Sequence, residues 1–300
     1  MLATKITPRA GGARRRTGHS AAWLVLGAIL LASPTARADY QQPGSYGVPD
    51  EVSKAAASTI WFKTGTGDKA FGHCSGAVVG RQEILTAFHC IRRFAGLPAF
   101  NDFAPYRLSE EELDGLKTKS LDITFLAADG RLVFDGAQDG NSVKIERLDP
   151  TLVAFAAQTH VRDWALLSVS SDLSLPPVPV RRKPARRDET VYALGYPGSA
   201  AKRHPVVSPG TVRGIEADRL HSLRTLDPPV IPPGAKTAFR PLADNIRLAT
   251  YKAERGVSGG PVVDDKGQLL GVHTGGLVSD RLGEVHKYFF SAHRLPPDLF

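Results

Sequence analysis

The sequence predicts an all-β protein built from two packed antiparallel β-barrels with a cleft between them. After Asp50 the chain alternates short apolar runs with Gly, Pro and Asp turns, and this spacing is typical of antiparallel strands. Residues 176–188 are rich in proline and charge, and they separate two blocks of such runs. We expect each block to form one barrel, because the interface between two packed units is a common place for a cleft.

The individual strands are predicted from runs of β-branched, aromatic and aliphatic residues that are bounded by turn-forming residues. In the first block they fall at residues 58–63, 76–79, 84–86, 121–126, 132–134, 143–145 and 165–169. Between the third and fourth of these runs Ser109 is followed by Glu112, a spacing that resembles a capping box and predicts a short surface helix. In the second block strands are expected at residues 191–194, 210–215, 246–249, 261–263 and 269–273.

Residues 1–38 have the organisation of a secretory signal peptide. Arginines at 14–16 form a basic region, and the apolar residues 21–32 that follow are too few to span a bilayer. Residues 36–38 (Ala-Arg-Ala) fit a small-residue cleavage site, so cleavage is expected after Ala38. We therefore expect a secreted or periplasmic protein, and the arginine cluster leaves twin-arginine export as an alternative route.

The rest of the chain is expected to have four parts. They are an N-terminal segment or short propeptide (39–57), the first barrel (58–175), a linker (176–188), and the second barrel with a C-terminal tail (189–300). The basic residues of the linker, from Arg181 to Arg187, lie among prolines and are expected to be solvated.

The charge balance indicates which partners to expect. The predicted signal carries six basic residues and no acidic one, so its removal lowers the net charge from +8 to +2. So small a charge gives no support to nucleic-acid binding. No later segment is apolar enough over sufficient length to span a membrane, so no stable membrane association is expected after signal cleavage. A monomer is expected.

Cys74 and Cys90 are the two cysteines of the chain. An even pair in an oxidising compartment favours a disulfide, which would anchor the loop of His89. The alternative is a metal site, because His73-Cys74 and His89-Cys90 form two His-Cys pairs. Adjacent residues in a strand point to opposite faces, so both members of a pair would hardly reach one ion. We therefore expect the disulfide and no metal.

Three residues, His89, Asp163 and Ser258, have the order and local surroundings expected for nucleophilic catalysis. A serine hydroxyl is a poor nucleophile at neutral pH and requires a base within hydrogen-bond reach. The imidazole of His89 titrates near neutral pH and is able to take that proton. The carboxylate of Asp163 would orient the imidazole and stabilise its protonated form. Together they predict acyl transfer through a covalent intermediate, which requires no cofactor.

The glycines around Ser258 have a separate predicted role. Gly256 and Gly259 let the chain turn tightly, so the N–H groups of Gly256 and Ser258 are the expected donors to a developing oxyanion. Two alternatives remain: Ser258 could be only a turn residue, and Asp172 could replace Asp163 as the acid. A nucleophile elbow of the α/β-hydrolase kind is excluded, because a proline and two valines follow this turn instead of a helix.

Residues 86–90 (Thr-Ala-Phe-His-Cys), 163–167 (Asp-Trp-Ala-Leu-Leu) and 256–261 (Gly-Val-Ser-Gly-Gly-Pro) resemble the three motifs of the chymotrypsin-like (trypsin-fold) serine endopeptidases. Residues 271–276 resemble the strand that borders the specificity pocket in that family. Together with residues 195–198 (Gly-Tyr-Pro-Gly), they look most like the bacterial glutamyl-endopeptidase branch.

The resemblance covers residues 58–274. It implies two six-stranded barrels, an active site in the cleft between them, and polypeptide substrates. In the family an aspartate directly before the nucleophile pairs with a newly freed N-terminus during activation. Val257 stands at that position, so activation of the trypsinogen kind is not expected.

The resemblance also predicts four substrate-binding residues: Lys252, His273, Thr274 and Gly276. Lys252 would lie at the base of the primary pocket, and His273 matches the histidine that binds an acidic side chain in the glutamyl-endopeptidase branch. A lysine and a histidine in one pocket would suit Glu or Asp at the cleavage site. The alternative is that Lys252 pairs with Glu254 or Asp264, or points to solvent, and leaves a small neutral pocket. A protein with this fold but without turnover, acting as a binding protein, is the alternative function.

Overall fold

Two antiparallel sheets are the main secondary structure in the part of the chain that the structure describes. The structure, a computed structural model, describes residues 40–64, 71–92, 94–95, 109–149, 163–198, 204–213, 246–279 and 285–299. The predicted all-β class with two β units is confirmed, and every predicted strand overlaps an observed one. The predicted signal peptide lies outside the described residues.

The first sheet has seven strands in the order β5-β4-β1-β2-β3-β7-β6. They are β1 (Thr59–Thr64), β2 (Phe71–Gly80), β3 (Glu83–Thr86), β4 (Thr124–Leu126), β5 (Leu132–Asp135), β6 (Val143–Leu148) and β7 (Ala165–Val169). The sheet curls, because the Leu121 N–H before β4 donates to the Val143 carbonyl of β6 at 2.8 Å. Phe134 packs against Phe125 with ring centroids 6.3 Å apart and holds β5 as an additional edge strand. The first unit is therefore a curled sheet with the seven strands predicted from the sequence, whereas the family resemblance implied a six-stranded barrel.

The second sheet is the predicted closed barrel of six strands, in the order β10-β13-β12-β11-β8-β9. Its strands are β8 (Thr190–Gly195), β9 (Val206–Arg213), β10 (Ile246–Ala249), β11 (Pro261–Val263), β12 (Leu269–Ser279) and β13 (Val285–Ser291). β13 was missed by the sequence analysis because its aromatic residues are adjacent and do not alternate. Phe289 points into the barrel core, whereas Phe290 packs against Trp164 of the first unit at 6.2 Å. Both faces of β13 are buried.

Three α-helices lie in the described residues: α1 (Asp50–Ala57), α2 (Phe88–Ile91) and α3 (Glu110–Thr118). The predicted capping box at α3 is confirmed, since the Glu112 N–H donates to Ser109 Oγ and the Ser109 N–H donates to the Glu112 carboxylate. α1 was not predicted, although its buried residues have helical spacing. Within the described residues, no helix has the length and apolar character needed to cross a membrane.

The segment between the two sheets is attached to the second barrel through Arg181, while the other basic residues of its run are exposed. The Arg181 N–H donates to the Leu269 carbonyl at 3.0 Å, at the start of β12. The Arg181 side chain is only 16% exposed, and its guanidinium pairs with Glu189 and with Asp264. The expected solvation of the basic run is therefore wrong for Arg181. An open groove of about 700 Å³ beside these ion pairs contains none of the predicted site residues.

The expected disulfide is present between Cys74 of β2 and Cys90 of α2, with the two Cα atoms 5.9 Å apart. Both cysteines are buried. The bridge therefore ties the helix that carries His89 to the middle of the first sheet.

Replacing Cys74 and Cys90 together by alanine is expected to lower the free energy of unfolding by about 3 kcal/mol, because the bridge restricts the unfolded chain. Urea unfolding of both proteins measures the difference. Wild type in a reductant strong enough to open the bridge should match the double variant. An unchanged free energy of unfolding in the double variant would contradict this role.

Candidate active site

His89 and Asp163 lie next to each other because both flank the same end of the β3–β7 strand pair. α2 follows β3 directly, Asp163 precedes β7, and Thr86 of β3 pairs with Ala165 of β7. The Asp163 Oδ2 atom is 2.5 Å from His89 Nδ1, and its Oδ1 atom accepts the His89 backbone N–H at 2.7 Å. Both carboxylate oxygens thus hold one residue, and Asp163 is 2% exposed. This contact assigns the ring proton to Nδ1 and leaves Nε2 as the basic nitrogen.

The turn that carries Ser258 contacts β2 and the sulfur of Cys90, the residue that follows His89. The Ser258 carbonyl accepts the Ser75 N–H of β2 at 2.7 Å and lies 3.5 Å from the sulfur of Cys90. The same sulfur is 3.7 Å from Nε2 of His89. The structure therefore brings Ser258, from the second barrel, beside the imidazole held by the first sheet. The alternative acid, Asp172, is engaged elsewhere by Arg81 at 2.5 Å.

Two glycines of this turn have backbones that no other residue would adopt without strain. Gly256 has a φ of +98°, and a Cβ atom there would lie 2.1 Å from the Tyr196 carbonyl oxygen. Gly259 has a φ of +81°, and a Cβ atom would lie 2.2 Å from Thr86 Oγ1. The positive φ favours glycine, and the contacts exclude any side chain. The turn is thus packed at backbone distance against both β units.

The orientation of the predicted oxyanion donors follows from the carbonyl groups that precede them. The Arg255 carbonyl accepts the Gly198 N–H at 2.7 Å, and the Val257 carbonyl accepts the Gly260 N–H at 2.9 Å. In a trans peptide the N–H points opposite to the carbonyl. The N–H groups of Gly256 and Ser258 therefore point away from these partners, and neither donates to another described residue. Both are available to a bound oxygen atom.

The predicted pocket residue Lys252 does not carry a free charge. Its ammonium nitrogen is 3.7 Å from Glu254 Oε1 and lies 4.6 Å from the centre of the Tyr40 ring. Its side chain is 43% exposed. Asp264, the other carboxylate considered for Lys252, pairs with Arg181 instead. These contacts agree with the alternative in which Lys252 pairs with a neighbouring carboxylate.

His273 of β12 is buried and bound to other side chains of the second barrel. Its Nδ1 atom is 2.9 Å from the Tyr251 hydroxyl, and the two rings meet edge to face. Burial, together with the charges of Lys287 and His89, lowers its pKa to about 3, against weaker opposing contributions from Tyr288 and Asp163. The imidazole is consequently neutral at neutral pH, and it offers a substrate hydrogen bonding rather than positive charge.

The two other predicted substrate-binding residues follow His273 on β12. Thr274 is buried, and within the described residues its hydroxyl has no hydrogen-bond partner. Gly276 lies within β12 beyond Thr274. β12 thus carries three of the four predicted substrate-binding residues, while Lys252 lies on the segment after β10.

A metal was considered for the His-Cys pairs, and one part of that reasoning was wrong. His89 and Cys90 lie in α2 rather than in a strand, so their nitrogen and sulfur atoms lie on one side. The ligand atoms of Cys74, His89 and Cys90 all lie within 4.8 Å of one another. The two sulfur atoms are joined in the disulfide, however, and a disulfide sulfur is not the thiolate that zinc binds.

Two residues that hold the turn of Ser258 were not predicted from the sequence. They are Ser75, whose side chain and backbone both contact the turn, and Gly198, whose N–H holds the Arg255 carbonyl. Gly198 lies in a motif that the sequence analysis used only for its resemblance. Ser75 follows Cys74 directly, and no local pattern distinguishes it from an ordinary strand serine.

The pKa of His273 predicts a pH dependence of stability. The unfolded chain takes up a proton near pH 6.5, whereas folded His273 stays neutral down to about pH 3. Its stabilising contribution is therefore complete above pH 6.5 and is lost as the pH falls. Between pH 6 and 4 the free energy of unfolding of wild type should fall more steeply than that of His273→Gln, by about 1.4 kcal/mol per pH unit.

Denaturant unfolding of both proteins at several pH values measures this difference in slope. Because all other titrating groups are shared, the comparison isolates His273. Parallel curves would mean that the folded imidazole takes up a proton as readily as the unfolded one.

Comparison with known proteins assigns the chain to a family. Residues 74–272 match the trypsin-like peptidase domain. No curated protein matches the chain.

Solved structures similar to the chain come from several bacteria. The active form of the Rv3671c protease from M. tuberculosis is 19% identical, with 86% of each chain covered and a TM-score of 0.47. The serine endoprotease from Yersinia pestis is 17% identical, with 84% of this chain and 64% of that chain covered and a TM-score of 0.45. The MamO protease domain from Magnetospirillum magneticum is 17% identical, with 80% and 94% covered and a TM-score of 0.45. Since the family match extends over more than half of the chain, from β2 to β12, the protein belongs to the trypsin-like peptidases.

Proposed function

We propose that the protein is a serine endopeptidase that hydrolyses peptide bonds of polypeptides through an acyl-enzyme. Ser258 is the nucleophile, His89 the general base and Asp163 the residue that orients His89. The contact that supports this proposal most strongly is the two-point hold of buried Asp163 on the ring and backbone nitrogens of His89. A carboxylate buried against one imidazole is the arrangement that a proton-shuttling histidine requires.

In the proposed reaction Ser258 Oγ attacks the substrate carbonyl carbon while His89 Nε2 takes the hydroxyl proton. The protonated imidazole then gives that proton to the leaving amine, and the C–N bond breaks. Water attacks the acyl-enzyme with the same base, which returns the proton to Ser258 as the acid product leaves. Asp163 stabilises the imidazolium in both steps because its carboxylate stays on Nδ1.

The N–H groups of Gly256 and Ser258 stabilise the oxyanion that forms at each step. Their orientation is held by the hydrogen bonds of the Arg255 and Val257 carbonyls, so the donors are in place before the substrate binds. One such donor contributes roughly 10²–10³ in rate. The rate enhancement therefore depends on the shape of the turn as well as on the three side chains.

The preference at the cleavage site is a separate question. The resemblance to the glutamyl-endopeptidase branch predicts Glu or Asp, with Lys252 and His273 as the recognising residues. A lysine that already faces Glu254 and a neutral buried imidazole give little charge to balance a substrate carboxylate. We propose that this pocket takes a neutral side chain in preference to an acidic one.

We also propose that the protein acts after export and as a monomer.

Labelling with a fluorophosphonate tests the catalytic assignment, because this reagent forms an adduct only with an activated serine. Intact-mass analysis is expected to find one adduct on the wild-type chain and none on Ser258→Ala. His89→Ala should label at least about 100-fold more slowly, because the serine loses its base. Absence of an adduct on the folded wild-type chain would contradict the proposal and favour a binding protein without turnover.

Peptides that differ only at the cleavage-site residue test the pocket. Alanine peptides are expected to give a higher kcat/KM than glutamate peptides with wild type. Glu254→Gln should free Lys252 and raise kcat/KM for glutamate peptides by up to about fivefold, since an exposed ion pair is worth about 1 kcal/mol or less. Lys252→Met combined with Glu254→Gln is the control and should remove that gain. A wild-type preference for glutamate would instead support the acidic assignment.

A further inference from the structure

The buried side chain of Ser75, in the first sheet, contacts the turn of Ser258. Ser75 of β2 is fully buried. Its Oγ donates to the Gly256 carbonyl at 2.7 Å and accepts the Tyr196 N–H at 3.0 Å. Its backbone N–H donates to the Ser258 carbonyl at 2.7 Å. A single residue therefore holds the carbonyl groups of both predicted oxyanion residues.

These contacts complete a set in which four successive carbonyl groups of the turn each have a donor. The Arg255 carbonyl is held by Gly198 and the Val257 carbonyl by Gly260. The carbonyls of Gly256 and Ser258 are both held by Ser75. Since a peptide group is planar, holding its carbonyl also fixes the direction of its N–H.

The peptide between Ser258 and Gly259 is held at both ends. Its carbonyl accepts from Ser75, and its N–H donates to the His273 carbonyl at 2.7 Å. The peptide between Gly256 and Val257 has the Ser75 hydroxyl at its carbonyl end, while the Val257 N–H donates to Glu254 at the longer distance of 3.2 Å. The hydroxyl of Ser75 is thus the strongest hold on the peptide that adjoins the Gly256 donor.

From this arrangement we infer that Ser75 is a positioning residue, whose hydroxyl fixes the Gly256–Val257 peptide that links the two N–H donors of the oxyanion turn. The inference rests on the proposed function, because it concerns the same turn and the same reaction. Ser75 does not touch the substrate in this account. It acts by keeping Gly256, which has wide backbone freedom, in the conformation that aligns the donor peptide before Val257 with the donor peptide after it.

Loss of the hydroxyl leaves two buried groups without their partner, the Gly256 carbonyl and the Tyr196 N–H. The cheapest relief is rotation of the Gly256 peptide, since Gly256 has no side chain to oppose it. Rotation of the Gly256–Val257 peptide changes the backbone angles on both of its sides, so the Gly256 N–H and the Ser258 N–H lose their alignment with each other. The expected consequence is a loss in the chemical step and not in substrate binding.

Ser75→Ala is therefore expected to lower kcat by about 10- to 100-fold with KM changed by less than about twofold, because the donor is displaced and not deleted. Ser75→Thr retains the hydroxyl, and its kcat should be at least about tenfold higher than that of Ser75→Ala. The pH profile of kcat/KM should keep its midpoint at a lower plateau, because Ser75 does not contact His89. A shifted midpoint would place the effect on the imidazole and overturn the inference.

Tyr196→Phe is the matched control for loss of a buried hydrogen bond between the two β units. The Tyr196 hydroxyl donates to the Thr59 carbonyl at 2.9 Å, and this contact does not involve the oxyanion turn. The control should lose stability to a similar degree while kcat stays within about twofold of wild type. Equal kcat losses in the control and in Ser75→Ala would reduce Ser75 to a structural contact and overturn the inference.

Hydrogen exchange separates this inference from the proposed function, because it requires no turnover. Mass spectrometry of the full chain is expected to show faster amide exchange at residues 255–260 in Ser75→Ala than in wild type or Tyr196→Phe. Absence of turnover in wild type would contradict the proposed function, and exchange would still decide whether Ser75 holds the turn. Exchange at the wild-type rate in Ser75→Ala would overturn the inference.

Discussion

The hydrogen bonds between Ser75 and the turn of Ser258 are the contact on which the rest of the site depends. They join the middle of the first sheet to the turn that precedes β11 in the second barrel, so the two β units meet at the proposed catalytic residues. His89 and Asp163 belong to the first unit, and Ser258 belongs to the second. A shift between the units would therefore separate the proposed nucleophile from its proposed base before it damaged either core.

Close backbone packing gives this contact its rigidity and restricts which residues the site accepts. Gly256 lies against the Tyr196 carbonyl, and Gly259 lies against Thr86 and Ser75 at distances that leave no room for a Cβ atom. The disulfide between Cys74 and Cys90 brackets the same region, because Ser75 follows one cysteine and His89 precedes the other. The Ser75 hydroxyl, the two glycines and the disulfide thus all restrict the backbone around the turn of Ser258. Oxyanion stabilisation requires such preorganisation, since donors that must reorient during the reaction lose much of their effect.

Charge near the site is governed by pairing rather than by composition. Lys252 faces Glu254, and Arg181, which the sequence placed in a solvated run, lies between Glu189 and Asp264. His273 is neutral because burial opposes its protonation, and the nearby His89 adds to that effect. The local field in which a substrate side chain would bind is consequently much weaker than the basic residues of the sequence suggest. This is why we propose a neutral preference where the resemblance implied an acidic one.

The sequence by itself determined the features that depend on neighbours along the chain. Alternating runs predicted twelve of the observed strands, Ser109 and Glu112 predicted the start of α3, and three motifs predicted His89, Asp163 and Ser258. Tertiary structure decided what depends on distant partners. β13 was missed because Phe289 and Phe290 are buried on opposite faces, and that pattern has meaning only once two β units cover it. The role of Ser75 was missed for the same reason, since its hydroxyl bonds a carbonyl 181 residues away. Local patterns report backbone conformation and surface, whereas the direction of a hydroxyl or the charge of an imidazole depends on what the folded chain packs against it.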